Sequence, residues 1–263
     1  MSRFFFKHFS LEQEGVAMRI NTDGVLLGSW ARLPDNMNTP KVLDIGTGGG
    51  VIALMVAQRL SATAHTLLFT IDAIEPHQSS ALRAESNFKE SPWASHTNLF
   101  NCSLQDYISQ QKRFSIMNQY DVILSNPPYF VDSLRPSNHN RQFVRHTDSL
   151  SHTDLLKGVI ELLHPLGCFC VVLPVLQQKS FVAEATTLGL YLRRETFVYS
   201  VAHRPPIRAL MEFILHQPHA FADGLTCKQE ESLQSDSLLI YDAENKDFSI
   251  EYKQLTKNFY LGF

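Results

Sequence analysis

The chain has 263 residues, of which 44% are hydrophobic and 19% are charged, with 12 Gly and 12 Pro. This composition is typical of one globular domain or two small ones, and it excludes disordered, collagen-like and fibrous proteins. Because 23 Lys and Arg stand against 26 Asp and Glu, the net charge is -3, and a polyanionic partner would need a local basic patch.

Predicted strands and helices alternate along the chain up to residue 188. Lys41 to Ile45 is a short apolar run, followed by a glycine-rich turn and by Val51 to Leu60, which has the length and composition of a buried helix. The later strands are Leu67 to Glu75, Thr97 to Cys102, Asp121 to Ser125 and Cys168 to Leu173, and the later helices are Gln78 to Glu90, Leu155 to Leu163 and Lys179 to Leu188. This alternation predicts an α/β fold with a mostly parallel sheet and helices on both faces.

The pattern changes after residue 188. Leu192 to Tyr199 and Ala209 to Leu215 are two strands with no helix between them, so we expect an antiparallel pair at one end of the sheet. Ser237 to Asp242 and Ile250 to Tyr260 are a further strand and helix. No linker separates two domains, so we predict a single domain with an extension over the site entrance at residues 1–40, a core at 41–216 and an appendage at 217–263.

The lengths of the apolar runs and the positions of the cysteines exclude further classes of protein. Runs such as Cys168 to Leu173 fall far short of the roughly 20 residues of a membrane-spanning helix. Met1 to Ser10 lacks the pattern of a secretory signal, so we expect a cytoplasmic protein with no membrane partner. The four cysteines include no C-x-x-C pair, and we expect Cys168 and Cys170 to point to opposite faces of their strand. We therefore predict neither a disulfide framework nor a metal site.

The glycine-rich turn runs from Asp44 to Gly50 (DIGTGGG). The dinucleotide fingerprint would need glycine where Val51 stands, and no Gly-Lys-Ser/Thr of a phosphate-binding loop follows. An acid at the start of the turn disfavours a pyrophosphate and favours a cationic or hydroxyl-rich ligand. S-adenosylmethionine (SAM), which has an ammonium, a sulfonium and no phosphate, suits it. The alternative is a plain tight turn in which Asp44 caps the next helix.

Glu75 ends the second strand of the core. Nucleotide-binding α/β folds place a carboxylate at this point against ribose hydroxyls. Judged alone, Glu75 is equally compatible with a solvated acid at a strand end.

A rigid turn, Asn126-Pro-Pro-Tyr129, follows the fourth strand. Each proline fixes its own φ and holds the preceding residue extended, so the backbone is set before a substrate arrives. The Asn126 side-chain oxygen and the Pro127 carbonyl can accept the two N–H bonds of a conjugated amino group such as adenine N6, and Tyr129 offers a stacking face. The alternative is a proline-stiffened surface turn.

A long polar segment, Val131 to Ser151, follows this turn. Arg135, Arg141 and Arg145 in this segment could hold phosphates around a target nucleotide. A second basic patch could come from Arg193, Arg194, Arg204 and Arg208. An ordinary solvated loop is the alternative.

These motifs together resemble the class I SAM-dependent amino-methyltransferases, which act on adenine N6, other exocyclic amines and a glutamine amide. A narrower resemblance covers nearly the whole chain, which is similar to the bacterial tRNA1(Val) adenine-N6 methyltransferase family. The stretches that carry it are Phe6 to Phe9, Met18 to Ala31, Ser91 to Trp93, Ser125 to Phe130, Arg141 to Thr147, Phe169 to Pro174 and Phe259 to Leu261.

This resemblance implies methylation of adenosine 37 in that tRNA, with SAM as cofactor and tRNA as partner, on a Rossmann-like class I fold with a seven-stranded sheet. The positions that match the family's cofactor and catalytic segments are Asp44, Gly46 and Gly48 in the loop, Glu75 for the ribose, Thr22 and Asp23 near the methionine end, and Asn126, Pro127 and Tyr129 in the catalytic turn. Where the family has an acid that contacts the adenine of SAM, this chain has Cys102-Ser103, so Ser103 or the nearby Asp106 takes that role.

Three other functions fit parts of the sequence. An N5-glutamine methyltransferase acting on a release factor uses the same turn, but such enzymes normally carry a separate N-terminal helical domain, for which about 40 residues leave too little room. A non-catalytic RNA-binding protein with a SAM fold is disfavoured by the intact Asn126 and Asp44. An NAD-dependent oxidoreductase is disfavoured by Val51 and by a turn that hydride transfer does not require.

Overall fold

The computed structural model describes residues 3–34, 39–63, 68–114, 119–128, 150–215, 232–242, 244 and 246–263. The strands are β1 (Arg3–Phe5), β2 (Ser10–Glu12), β3 (Lys41–Ile45), β4 (Thr70–Ile74), β5 (Thr97–Phe100), β6 (Tyr120–Ser125), β7 (Leu163–Pro174), β8 (Leu190–Tyr199), β9 (Arg208–Leu215) and β10 (Gln234–Leu239). The helices are α1 (Thr22–Trp30), α2 (Val51–Ser61), α3 (Gln78–Glu90), α4 (Leu104–Arg113), α5 (His152–Leu162), α6 (Val175–Thr187) and α7 (Ile250–Thr256).

Within these residues, β3 to β10 form one sheet in the order β10-β8-β9-β7-β6-β3-β4-β5, and β1 and β2 form a separate antiparallel pair. Five of the sheet's neighbouring pairs are parallel, and only β7 with β9 and β8 with β9 are antiparallel. The chain passes from β3 outward to β5 and returns to β6 on the other side of β3. The strand order therefore reverses at β3, where α/β sheets bind their ligands.

The alternating pattern and the antiparallel pair at one end of the sheet are confirmed. The sheet has one strand more than the seven that the resemblance implied, because the appended β10 pairs in parallel with β8. The sequence patterns missed the short β1 and β2, and they also missed α1 and α4.

Two apolar clusters cover the two faces of the sheet. Residues of α1, α2, α3 and α7 pack on one face, and residues of α4, α5 and α6 pack on the other. Side chains alternate between these clusters along each central strand, as Val42 and Leu43 do in β3. Because helices cover both faces of the sheet, the central strands are almost wholly apolar. Among the described residues, no helix is both long and apolar enough to cross a membrane.

The expectation for Cys168 and Cys170 was wrong, because residues two apart in a strand point to the same face. Their sulfur atoms and a carboxylate oxygen of Glu212 lie within 4.8 Å of one another. A hydrogen bond with Cys168, together with burial, holds the pKa of the Cys170 thiol well above its ordinary value. Cys102, Cys168 and Cys170 are free thiols, and Cys227 lies outside the described residues.

Candidate active site

The glycine-rich turn joins the carboxyl end of β3 to the first turn of α2. The backbone N–H groups of Gly46 and Thr47 both donate to the carbonyl of Ile74, at 2.9 and 3.0 Å, so the turn is tied to the end of β4. Gly50 caps α2 with a φ of +89°, and a Cβ there would lie 2.5 Å from the Phe88 ring. Only glycine meets both the left-handed backbone and the close approach of α3 at this position.

Asp44 lies at the base of this turn and is wholly buried. Its Oδ2 accepts a hydrogen bond from the Thr47 hydroxyl at 2.6 Å, whereas Oδ1 has no hydrogen-bond partner among the described residues. Burial raises the pKa of Asp44 to about 7, and the Glu75 charge adds to the rise. Hydrogen bonds from Thr47 and from the backbone of Ala53, in the first turn of α2, oppose that rise. Asp44 therefore takes part in anchoring the helix, and it keeps a buried acceptor atom besides.

Glu75 follows β4 and is only 5% exposed. Its Oε2 accepts from the N–H of Gly48 and its Oε1 accepts from the N–H of His77, both at 2.9 Å. These bonds hold the carboxylate against the glycine-rich turn, which excludes the alternative of a solvated strand-end acid. A carboxylate has about four lone-pair sites, so Glu75 retains acceptor capacity for further hydroxyl groups.

Asn126 follows β6, the neighbour of β3 on the other side. Ile45 pairs with Ser125, and the Ser125 hydroxyl donates to the carbonyl of Ile45 at 3.0 Å, so the two strand ends are fixed side by side. Asn126 is half-buried, Pro127 is buried and Pro128 is exposed. Tyr129 lies outside the described residues.

One pocket brings the glycine-rich turn and Asn126 together, and Asp44 and Glu75 are not among the residues that line it. We call residues 11–21 the strap, because this segment passes over the glycine-rich turn and closes one side of the pocket. The lining consists of eight strap residues, six residues of the turn and the start of α2, and Asn126: Leu11, Glu12, Gln13, Val16, Met18, Arg19, Ile20, Asn21, Gly46, Thr47, Gly48, Gly49, Val51, Ile52 and Asn126.

Comparisons with known proteins decide the family. A family model, the methyltransferase small domain, matches residues 26–154. A tRNA1(Val) (adenine(37)-N6)-methyltransferase of Bacteroides fragilis is 38% identical over 98% of this chain and 97% of its own length. The chain belongs to the tRNA1(Val) (adenine(37)-N6)-methyltransferase family. Members from Trichodesmium erythraeum and Escherichia coli are 37% and 34% identical, over 100% and 98% of this chain and 99% and 94% of their own lengths.

Solved structures show the same fold at low sequence identity. A protein described as an O-methyltransferase, from Agrobacterium tumefaciens, superimposes with a TM-score of 0.61 over 90% of this chain and 96% of its own, at 13% identity. A protein described as a class I SAM-dependent methyltransferase, from Listeria monocytogenes, gives 0.57 over 89% and 65%, at 11% identity. The fold is therefore that of the class I methyltransferases, and SAM is the cofactor of this methyltransferase.

The residues present fit SAM. Beside Gly46 there is open space, because a Cβ built on this residue would meet no atom within 4 Å. Two buried carboxylates, Asp44 and Glu75, face the turn from neighbouring strands, and Asp44 Oδ1 is a buried acceptor for which the described part of the chain supplies no hydrogen-bond donor. Acceptors of this kind match the ammonium and ribose hydroxyls of SAM.

Thr22 and Asp23 begin α1 beside the pocket but are not among its lining residues. Thr22 is exposed, and the Asp23 carboxylate pairs with Arg208 at 2.9 Å. Asn21, which the sequence patterns missed, lines the pocket, and its side chain caps α1 by accepting from Gly24 N at 2.9 Å. An Asn directly before an apolar helix is the signal that would have identified it.

Ser103 and Asp106 bind each other at the start of α4. Ser103 Oγ accepts from the N–H of Asp106 at 3.1 Å and donates to the Asp106 carboxylate at 2.7 Å. These bonds are those of a helix cap. The sequence patterns also missed Asn101, whose side chain donates to the Glu75 carbonyl at 2.8 Å and joins β5 to the acidic residue.

The proposed RNA-contacting arginines separate into three groups. Arg135, Arg141 and Arg145 lie outside the described residues. Arg193 and Arg194 lie within the strand β8 and pair with the buried Glu212, at 3.1 and 3.0 Å. Arg204 and Arg208 form the third group. They are in and after the turn between β8 and β9, at the same edge of the sheet as Pro174, which ends β7. Arg204 is exposed.

Cys168, Cys170 and Glu212 are a group in the described chain that could hold a metal ion by distance alone. However, the guanidinium groups of Arg193 and Arg194 already neutralise Glu212. A cation would have to displace or approach two positive groups there, and the protonated Cys170 thiol is a poor ligand. The chemistry of this cluster is that of a buried ion pair.

Proposed function

We propose that this protein transfers the methyl group of SAM to the N6 amino group of adenosine 37 in tRNA1(Val), next to the anticodon, giving N6-methyladenosine in the cytoplasm. The observation that carries the proposal is that Asn126 and the glycine-rich turn line one pocket. Relatives aligned over 98% of the chain, such as the Bacteroides fragilis protein, are named for this activity, which further supports it.

The role of Asn126 follows from the weakness of the nucleophile. The lone pair of an exocyclic adenine amine is delocalised into the ring, so the amine attacks slowly. The Asn126 side-chain oxygen and the Pro127 carbonyl accept its two N–H bonds, orient the nitrogen toward the pocket and localise its lone pair. Pro127 and Pro128 fix the backbone so that both acceptors are in place before the base arrives. Tyr129 stacks on a base that has left its own stack.

The cofactor is held by acids at the carboxyl ends of β3 and β4. When bound, SAM supplies an electrophilic methyl group on a positively charged sulfur. Glu75 accepts hydrogen bonds from the ribose hydroxyls, and the turn that contains Gly46 and Gly48 receives the methionine end beside Asp44. Thr22 and Asp23 lie in the segment next to this end, and the cap of α4, Ser103 or Asp106, contacts the adenine.

RNA binding rests on local charge because the whole chain has a net charge of -3. Arg135, Arg141 and Arg145 hold phosphates around the target nucleotide. Arg204 is exposed at the same edge of the sheet and extends this surface.

A single assay separates this proposal from its rivals. Purified protein is incubated with labelled SAM and with tRNA from cells that lack the activity, and the nucleosides are then analysed. The proposal expects label in N6-methyladenosine from tRNA1(Val) alone. Label in a release-factor glutamine instead would support the N5-glutamine alternative, which the names of the relatives do not favour. Binding of tRNA without any labelled product would support a non-catalytic RNA-binding protein.

A further inference from the structure

The strap is attached to one face of α3 by polar side chains. Ser80, Arg83 and Asn87 are three and four residues apart, so they lie on the same face of this helix. Ser80 Oγ accepts from the N–H of Ala17 at 3.1 Å, and Arg83 Nε donates to the carbonyl of Glu14 at 2.9 Å. The strap main chain between residues 12 and 17 is therefore held along the helix by hydrogen bonds.

Asn87 differs from the other two residues because it also contacts the glycine-rich turn. Its Oδ1 accepts from Glu12 N at 2.9 Å, and its Nδ2 donates both to Glu12 O at 3.2 Å and to Gly49 O at 2.8 Å. The residue is only 1% exposed. Both amide hydrogens and the amide oxygen are thus used on two main-chain segments that form opposite walls of the same pocket.

The turn is fixed from two sides by this arrangement. Glu75 holds Gly48 from β4, and Asn87 holds the adjacent Gly49 from α3. The strap also contacts the turn directly, because Val16 Cγ2 lies 3.4 Å from the position that a Cβ on Gly49 would occupy. A change in the Asn87 contacts would therefore alter the distance between the strap and the turn.

We propose that Asn87 is a positioning residue for SAM, which sets cofactor affinity by joining the strap to the glycine-rich turn. Asn87 is not among the residues that line the pocket, so it acts through Glu12 and Gly49. Without the amide, the strap leaves the turn for part of the time, and SAM binds only the fraction of molecules in which the two walls are together. The inference depends on SAM being the cofactor and not on the identity of the RNA.

Two variants test this role by calorimetry and stopped-flow SAM dissociation. Asn87→Ala removes all three hydrogen bonds, and the Kd for SAM should rise by roughly tenfold or more through faster dissociation. Asn87→Asp keeps the size and the acceptor for Glu12 N, but it places an oxygen against the carbonyls of Glu12 and Gly49. Its Kd should rise at least as much. In both variants the KM for SAM should rise while kcat at saturating SAM stays within about twofold of wild type, since bound SAM restores the closed pocket.

Two control variants on the same helix distinguish loss of the Asn87 contact with the glycine-rich turn from a general disturbance of α3. Ser86→Ala changes a neighbouring side chain whose hydroxyl bonds Glu90, so the Kd should not change. Arg83→Ala removes a strap contact that does not reach the turn, so it should have a clearly smaller effect than Asn87→Ala. An equal effect of Arg83→Ala would overturn the proposal, as would an unchanged Kd in folded Asn87 variants or a lower kcat with an unchanged KM.

A measurement on the wild-type protein keeps the proposal testable if the variants fail to fold. Hydrogen exchange at the Glu12 amide, which donates to Asn87, should slow when SAM is added to saturation. The same exchange rate with and without SAM would overturn the proposal. A wild-type protein that does not bind SAM in the calorimeter would instead contradict the cofactor, which is a different result.

Discussion

The N–H of Gly48 donates to the Glu75 carboxylate at 2.9 Å, which joins the loop after β3 to the acid after β4. The residue that the sequence assigned to the ribose hydroxyls therefore also fixes the loop on which the methionine end of the cofactor would lie. In the proposed SAM site, this one carboxylate would couple the binding of the two halves of the cofactor.

Calorimetry with SAM tests the two acids that face the glycine-rich turn, Asp44 and Glu75. Glu75→Ala should weaken SAM binding roughly tenfold to a hundredfold, the range expected for loss of hydrogen bonds to a charged group. Asp44→Ala should abolish detectable binding, because it removes the buried charge and the anchor of the turn. Glu85→Ala, at a half-buried position of α3 outside the pocket beside this turn, is the matched control and should bind like wild type. Unaltered SAM affinity in both the Asp44 and the Glu75 variants would contradict this assignment of the site.

The raised pKa of Asp44 predicts how stability depends on pH. Burial raises this pKa to about 7, whereas an Asp in an unfolded chain titrates near pH 4. Between roughly pH 4 and pH 7 the folded protein therefore retains a proton that the unfolded chain has released. The contribution of Asp44 to the free energy of unfolding falls as the pH rises through this window, and it is constant above it.

Urea unfolding of the cofactor-free protein, with Asp44→Asn as the comparison, measures this effect. The asparagine does not titrate, so the stability of the variant relative to wild type should rise by up to about 1.4 kcal/mol per pH unit across the window and then level off. A difference that stays the same from pH 5 to pH 8 would show that Asp44 does not titrate there.

The arginines after the catalytic turn should dominate tRNA binding. A double charge reversal, Arg141→Glu with Arg145→Glu, should weaken tRNA affinity strongly at low salt and reduce its salt dependence, because fewer counterions are released. The control reversal, Lys89→Glu with Arg113→Glu, changes the net charge equally at exposed positions of α3 and α4. If both double variants lost the same affinity, overall charge would explain the binding and the loop would have no special role.

Tyr129 should contribute to binding as well as to turnover. Loss of a stacking face costs about 1 to 3 kcal/mol per base, so Tyr129→Ala should raise the KM for tRNA and lower the rate. Tyr129→Phe keeps the ring and should be milder. Steady-state kinetics of the two variants test this role. An equal rise in KM and an equal fall in rate in both variants would mean that the hydroxyl and not the ring face is used.

Regular patterns made much of the fold predictable from the sequence. The bounds of β3 and α3 agree with the prediction because an apolar run before glycines and an amphipathic helix are strong local signals. Helix α1 was missed because eight of its nine residues are buried, so it shows no polar face. Helix α4 was missed although Leu104, Tyr107 and Ile108 have helical spacing, since Ser103 and Asp106 were interpreted as ligand contacts and not as a cap.

The site was predictable only in part, for a physical reason. Asp44, Glu75 and Asn126 come at the ends of strands, and parallel strands bring such positions to one edge of the sheet. The strap leaves no such signal, because its contacts join main-chain atoms to side chains far along the sequence, as in the bond from Glu12 N to Asn87. Such a contact depends on the finished fold and not on a local pattern.

The central claim is that Asn126 accepts the amino group of the target base, and a single-turnover assay of Asn126→Ala tests it most directly. Removing one of two acceptors should cost on the order of 3 kcal/mol in the transition state, so the methylation rate on tRNA should fall roughly a hundredfold or more. The Kd for SAM, measured on the same preparation, should stay close to wild type, since the side chain is assigned to the substrate. Methylation at near wild-type speed by the folded variant would contradict this account and leave Asn126 as a turn residue.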